Sequence, residues 1–387
     1  MEKVVCPRCG NTDQSLFYQG SKGVYCRACI SFSRYLVSET KQENWDDYPA
    51  DLTSEYTLDF TLTDHQKRVS HEIVEKMKRK DVLVWAVTGA GKTELCMEFI
   101  KECLSQRKRI GIVIARRQVV LELAERFRHA FQCDVIPVCE GYTSKTEADL
   151  IILTAHQCYR YFEKKFDHLI VDEPDAFPYA GNAVLQGIVR NSCKGTMLYL
   201  TATPDQQLLD HCEVIELFSR PHGFDLPVPH VKTGLLLSSL IRLLVWIKKR
   251  VAKNIPFLLF VPTIKTAKVM TLFLKTELKV ECCTSKTENK DDIIFRMKQK
   301  QLQGLVCTTI LERGVTFDGI DVIVWNADHV TYTQAALVQI SGRVGRKLSR
   351  PTGDCTFLCF SKSQTVLESV RMIEHANKMS HLSKEAA

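Results

Sequence analysis

Trp85-Ala86-Val87-Thr88-Gly89-Ala90-Gly91-Lys92-Thr93-Glu94 is the stretch on which the reading of this chain turns. It follows the apolar run Asp81-Val82-Leu83-Val84-Trp85, which reads as a buried strand, and precedes a helical pattern over residues 94–104. A strand, a Gly-rich loop ending in Gly-Lys-Thr and a helix together make a phosphate cradle. The glycines let backbone N–H groups approach phosphate oxygens, and the helix N-terminus adds its dipole. Thr88, Gly89, Ala90 and Gly91 would line the phosphates, Lys92 would reach them, and the Thr93 hydroxyl would ligate Mg²⁺. Ala86 stands where the general pattern has its first glycine. A nucleotide site is the expectation.

Beyond this loop, apolar runs alternate with helical patterns. Strands are expected at residues 110–115, 134–138, 150–153, 168–171 and 196–200, with helices such as 119–130 and 182–190 between them. That βαβ rhythm predicts a parallel sheet. Residues 220–229, with three prolines and a glycine, break the rhythm and read as a domain boundary. It restarts with a helix at 238–252 and strands at 257–261, 279–282, 305–308, 322–325 and 355–359. The expected organisation is a small module at 1–38, a linker at 39–61 that packs on its neighbour, and α/β lobes at 62–222 and 223–387.

Asp172-Glu173-Pro174-Asp175 closes another apolar run, and the carboxyl end of a parallel strand opens on the phosphate-loop side of a sheet. Asp172 suits a Mg²⁺ ligand and Glu173 a group that orients and polarises an attacking water. Thr201-Ala202-Thr203-Pro204 offers two hydroxyls for passing a signal out of the nucleotide site, or a helix cap. In Gln339-Ile340-Ser341-Gly342-Arg343-Val344-Gly345-Arg346, two arginines three residues apart suit guanidiniums aimed at phosphoryl oxygens. Thr63 and Gln66 have capping-box spacing at the start of a helix.

Near the N-terminus, Cys6-Pro7-Arg8-Cys9 and Cys26-Arg27-Ala28-Cys29 are separated by sixteen residues, the spacing of two knuckles around one structural Zn²⁺. Arg8, Lys22, Arg27 and Arg34, with Tyr25, Phe32 and Tyr35, face either nucleic acid or solvent. The other twelve of the 16 cysteines are scattered singly, which points to a reducing compartment and not to a disulfide framework. A net charge of +7 permits a polyanionic partner without requiring one. The basic clusters 76–80 and 107–109 read as solvated helix ends. With no signal-like N-terminus and no bilayer-spanning apolar run, a soluble, cytoplasmic protein is expected.

The ordered set Gly-Ala-Gly-Lys-Thr, Asp-Glu-Pro-Asp, Thr-Ala-Thr-Pro, Thr308-Thr309-Ile310-Leu311-Glu312-Arg313-Gly314-Val315-Thr316-Phe317 and Gln-x-x-Gly-Arg-x-Gly-Arg resembles the superfamily 2 DNA helicases. In that family Ala at position 86 is usual. The four-cysteine module ahead of the motor is more narrowly similar to the late competence ATPases of bacteria, associated with uptake of single-stranded DNA.

The resemblance implies two tandem RecA-like parallel-sheet lobes behind a zinc ribbon, using ATP, Mg²⁺ and Zn²⁺. It implies that Gln66 reads adenine, that Gly314 approaches the nucleotide, and that Gln339, Arg343 and Arg346 complete the site. Arg116, Thr154, His156, Gln157, Thr263, Thr308 and Thr309 fall in segments that contact the DNA backbone in this family. The implied partners are single-stranded DNA, a competence protein with a phosphoribosyltransferase-like fold, and a membrane DNA channel that would hold the chain at the inner membrane face; a homo-oligomer is compatible. A primosomal restart or repair helicase, and a nucleotide-switched zinc scaffold, are the rival readings.

Overall fold

A computed structural model describes residues 4–37, 43–48, 52–312 and 315–385. Two compact units result: residues 1–85 with 92–217, and residues 218–387, with which the short segment 86–91 groups.

The first unit opens on an antiparallel hairpin, β1 (Phe17–Gly20) and β2 (Gly23–Cys26). Its main body runs α1 (Asp64–Met77), β3 (Val82–Ala86), α2 (Lys92–Leu95), α3 (Met97–Ser105), β4 (Ile110–Ile114), α4 (Arg117–Ala130), β5 (Val135–Val138) and β6 (Leu150–Thr154). It continues through β7 (His168–Asp172), α5 (Ala183–Asn191), β8 (Met197–Thr201), α6 (Gln206–His211) and β9 (Glu213–Leu217). The strands form a seven-stranded sheet in the order β5-β6-β4-β7-β8-β3-β9. The pairings from β5 through β3 are parallel. Strands such as β6 and β8 are buried at every residue, which is why they read as unbroken apolar runs. The helix expected over 94–104 is two pieces, α2 and α3, meeting at Cys96, which keeps helical dihedrals.

The second unit contains β10 (His230–Thr233), α7 (Leu236–Ala252), β11 (Phe257–Phe260), α8 (Ile264–Leu274), β12 (Val280–Cys283), α9 (Lys290–Lys298) and β13 (Gly304–Cys307). It ends with β14 (Asp321–Trp325), α10 (Gln334–Ser341), β15 (Cys355–Cys359) and α11 (Gln364–Glu385). Its sheet is six-stranded and parallel, in the order β10-β15-β14-β11-β13-β12. Alternation builds two cores: Leu258, Phe260, Val322 and Val324 pack on one face, and Phe257, Leu259, Ile323 and Trp325 on the other. Both units are RecA-like lobes, as the sequence predicts. Strands β9 and β10 flank the proline-rich break and were not expected there; β10 is a short, largely exposed edge strand with little apolar signal.

The zinc-type module and the linker are bound into the first unit. Trp45 stacks on Tyr161 at 5.6 Å and its Nε1 donates to Lys165 O at 3.0 Å, while the Tyr48 hydroxyl donates to Lys108 O. Arg109 corrects the expectation of a solvated helix end. It is buried, donates to Ala148 O, and lies over the rings of Tyr48 and Trp45 at 3.8 and 5.3 Å. Its counterpart surfaces are carbonyls and π-faces, which a guanidinium's weak hydration permits.

Helix α5 carries Gly187 where the module lies against it: a Cβ there would stand 2.0 Å from the Cys9 carbonyl oxygen. Replacing a mid-helix glycine with alanine ordinarily stabilises by about 1 kcal/mol. Here the clash with backbone should outweigh that gain. Gly187→Ala is expected to lower the thermal midpoint of the chain and to open residues 4–37 to limited proteolysis; a raised midpoint with an intact module would contradict this packing.

Candidate nucleotide and metal sites

Parallel pairing sets the ends of β3, β7 and β8, each adjoining a sequence motif, along one edge of the first unit's sheet. Trp85, just ahead of the Gly-rich loop, is in register with Thr201, and Asp172 with Leu200. Within the loop, Gly89 and Gly91 adopt left-handed φ of 81° and 83°, a conformation that excludes most side chains. Lys92 and Thr93 open α2, where the first backbone N–H groups of a helix lack internal partners.

Asp172 ends β7 and Glu173 follows with φ 55°, an uncommon backbone for a non-glycine residue, held by its N–H donating to Leu200 O at 2.9 Å. Non-glycine residues held in such backbone conformations cluster at functional sites. Cys96 donates from Sγ to Lys92 O, and burial, then the Asp172 carboxylate, push its thiol well up. It is a neutral thiol beside the acidic turn.

Asp175 shows what the fourth residue of Asp-Glu-Pro-Asp does. Its carboxylate accepts from Thr201 Oγ1 at 2.6 Å and from Thr203 Oγ1 at 2.7 Å. Both threonines are buried, and Thr201 Oγ1 also accepts from Thr203 N. The two motifs are thus one hydrogen-bonded object. Sequence reasoning placed both motifs but gave Asp175 no role.

Gln66 is buried and closes a capping box, its Oε1 accepting from Thr63 N at 3.0 Å while Thr63 Oγ1 accepts from Gln66 N. Thr154 is buried at the end of β6, Arg116 is the N-cap residue of α4, and Gln157 accepts from Arg160. His156 is exposed and stacks on Phe32 of the cysteine module at 5.9 Å.

In the second unit, Arg343 is buried and donates from Nε to Glu312 O at 3.1 Å. Arg346 donates to Gly342 O and to Thr316 Oγ1. Gln339 is buried with Nε2 unpartnered among the described residues, as is Thr88 Oγ1. Orphaned buried polar atoms at two nucleotide-motif positions fit a polar ligand. Thr263 caps α8, and Thr308 and Thr309 sit at the turn after β13. Gly314 lies outside the described residues.

The four N-terminal cysteines converge. Sγ atoms of Cys6 and Cys29 lie 3.8 Å apart, as do those of Cys9 and Cys26, and all four fall within 4.8 Å of one another. Tetrahedral sulfurs on Zn–S bonds of about 2.3 Å would be about 3.8 Å apart. The cluster is compatible with Zn²⁺, and with four thiolates it would leave no open coordination position. Arg8 corrects the reading of a residue facing nucleic acid or solvent: it is 2% exposed. Its Nε and Nη2 donate to Cys29 Sγ at 3.3 and 3.1 Å, Nη2 also reaches the carbonyls of Cys29 and Ser33, and Nη1 that of Phe32. N–H groups aimed at sulfur favour the thiolate that a metal requires.

Two family models match this chain: the type III restriction enzyme res subunit over residues 59–206, and the helicase conserved C-terminal domain over residues 236–347. It is 32% identical to the competence protein ComFA of Bacillus subtilis, over 97% of this chain and 86% of that protein. Identity to ComFA of Streptococcus pneumoniae is also 32%, covering 97% and 91% respectively. In fold it is similar to the DEAD-box helicase Mss116 bound to ssRNA and UDP-BeF, with TM-score 0.62 and 19% identity over 82% of this chain and 73% of that one. It is likewise similar to Mycobacterium smegmatis helicase Lhr bound to ssDNA and AMP-PNP, with TM-score 0.57 and 12% identity over 82% and 50%.

Metal analysis of the purified chain is expected to find about one zinc per molecule, the content of a four-thiolate site. Cys26→Ser combined with Cys29→Ser should abolish it and make the module protease-sensitive. A zinc-free wild-type protein with an intact module would refute the assignment.

Proposed function

The chain belongs to the ComFA family of competence proteins, and from that premise we propose that it is an ATP-driven translocase on single-stranded DNA that powers DNA uptake in natural competence. The helicase domains make it a superfamily 2 helicase and ATPase. Asp175 is the observation that carries the motor reading. By bonding Thr201 and Thr203 it ties the turn bearing Asp172 and Glu173 to the end of β8, so a change at the acidic turn is felt at the next motif.

Bound ATP with Mg²⁺ supplies the phosphoryl group and the cation that neutralises its charge. Lys92 would hold phosphate oxygens together with the backbone of Thr88 to Gly91, and Thr93 and Asp172 would hold the metal. Glu173 orients and polarises the attacking water. Arg343 and Arg346 stabilise charge that develops on the transferred group, with Gln339, Gln66 and Gly314 contacting the nucleotide.

Arg116, Thr154, His156 and Gln157 of the first unit, and Thr263, Thr308 and Thr309 of the second, are the proposed grip on DNA. Hydroxyl, amide and guanidinium donors bind phosphate without reading base identity, as a translocase requires. Zn²⁺ on Cys6, Cys9, Cys26 and Cys29 is structural in this scheme. A phosphoribosyltransferase-like competence protein and a membrane DNA channel are the proposed partners, at the cytoplasmic face. Among the described residues no helix is long and apolar enough to cross a membrane.

Lys92→Ala and Glu173→Gln proteins should bind single-stranded DNA as wild type does, while ATP turnover falls by about 10²-fold or more. Single-stranded DNA should stimulate wild-type turnover more than duplex DNA or RNA. Undiminished turnover in either variant, or equal stimulation by RNA, counts against the proposal.

A further inference from the structure

Ser219-Arg220-Pro221-His222-Gly223 reads in sequence as punctuation between two lobes. Within the second unit it grips the arginine motif. Arg220 is only 3% exposed, and its Nη1 donates to Val344 O at 3.0 Å and Gly345 O at 2.8 Å, with Nη2 donating to Gly342 O at 3.2 Å. His222 reaches the same turn. Its Nε2 lies 3.0 Å from Gly345 O, and its Nδ1 accepts from Phe224 N at 3.1 Å, so the ring proton sits on Nε2. Burial, then the Arg220 charge, lower the pKa of His222.

The turn is shaped around this guanidinium. Gly345 has φ 66°, and a Cβ there would stand 2.2 Å from Pro351 O and 3.3 Å from Arg220 Nη1. Among the described residues no carboxylate is a hydrogen-bond partner of Arg220, and backbone carbonyl dipoles face its charge. Burial pushes its pKa down to about 9, and the like charge of Arg346 adds to that. Stability by itself disfavours a buried cation beside a second guanidinium. The arrangement makes sense if the turn must be held in one shape.

We propose that Arg220, braced by His222, is a positioning residue for ATP hydrolysis: it fixes the Gly342–Arg346 turn so that Arg343 and Arg346 are presented to the phosphoryl group. This rests on the role given above to those two arginines. Four carbonyls in different directions, the fourth being Thr88 O, which accepts from Arg220 Nε at 3.0 Å, call for a planar fork of N–H donors, which lysine lacks. Charge alone will not substitute. His222 needs only one donor, which a glutamine amide can supply.

ATP turnover of the full chain with saturating single-stranded DNA tests this in R220K, R220Q, H222Q, R343A, R346A and the double variant R220Q/R343A. R220K and R220Q should lower kcat by about 10- to 100-fold, the effect of misplacing a catalytic group by about 1 Å. KM for ATP and DNA affinity should stay near wild type, and H222Q should retain most activity. R220Q/R343A should be no slower than R343A alone, because Arg220 acts through the turn. Wild-type kcat in R220K, multiplicative losses in the double variant, or a rise in KM at unchanged kcat would overturn the proposal. So would an R220K protein that does not fold by circular dichroism, since Arg220 would then be a stability residue. Wild-type turnover in both R343A and R346A would instead remove the assignment beneath it.

Discussion

Parallel pairing of β7, β8 and β3 is the constraint on which the first unit's chemistry depends. Parallel strands point their carboxyl ends the same way, so turns far apart in sequence emerge along one edge. Register then fixes which residues are level. Trp85 stands opposite Thr201 and Asp172 opposite Leu200. Neither the acidic turn nor the Thr-Ala-Thr segment has much meaning alone. Placed side by side they share the Asp175 carboxylate, and two buried hydroxyls that would each need a partner find the same one.

A second theme is how this protein buries cations. Arg8, Arg109 and Arg220 are all nearly inaccessible, and among the described residues the hydrogen bonds of their guanidiniums go to carbonyls, a hydroxyl or a sulfur. Aromatic faces add to this at Arg8 and Arg109. A guanidinium spreads its charge over a plane and offers five donors, so dipoles and π-faces can hold it without an ion pair. Each of the three locks an irregular segment: the cysteine module, the linker and the arginine turn. Irregular backbone has no ladder of its own to satisfy its carbonyls, and a buried fork of donors supplies several bonds at once.

How much was legible follows the range of the interactions. The phosphate loop, most strands of both sheets, the two cysteine knuckles and the capping box at Thr63 depend on neighbours within a few residues, and can be read in order along the chain. Strand β10 was not, because an exposed edge strand carries little apolar signal. Arg8, Arg109 and Arg220 were read as surface or boundary residues, because charge is the strongest prior for exposure. Their partners lie elsewhere in the chain: Cys29 for Arg8, Ala148 for Arg109, Val344 for Arg220.

The sequence by itself determined the class of the fold, the order of the motifs and the residue types available for phosphate, magnesium and zinc, since these follow from local periodicity and spacing. Only the tertiary structure decided which side chains act together. Asp175 with two threonines, Arg220 with the 342–345 carbonyls and Phe32 with His156 are set by strand register and close packing, and those depend on the whole chain folding at once.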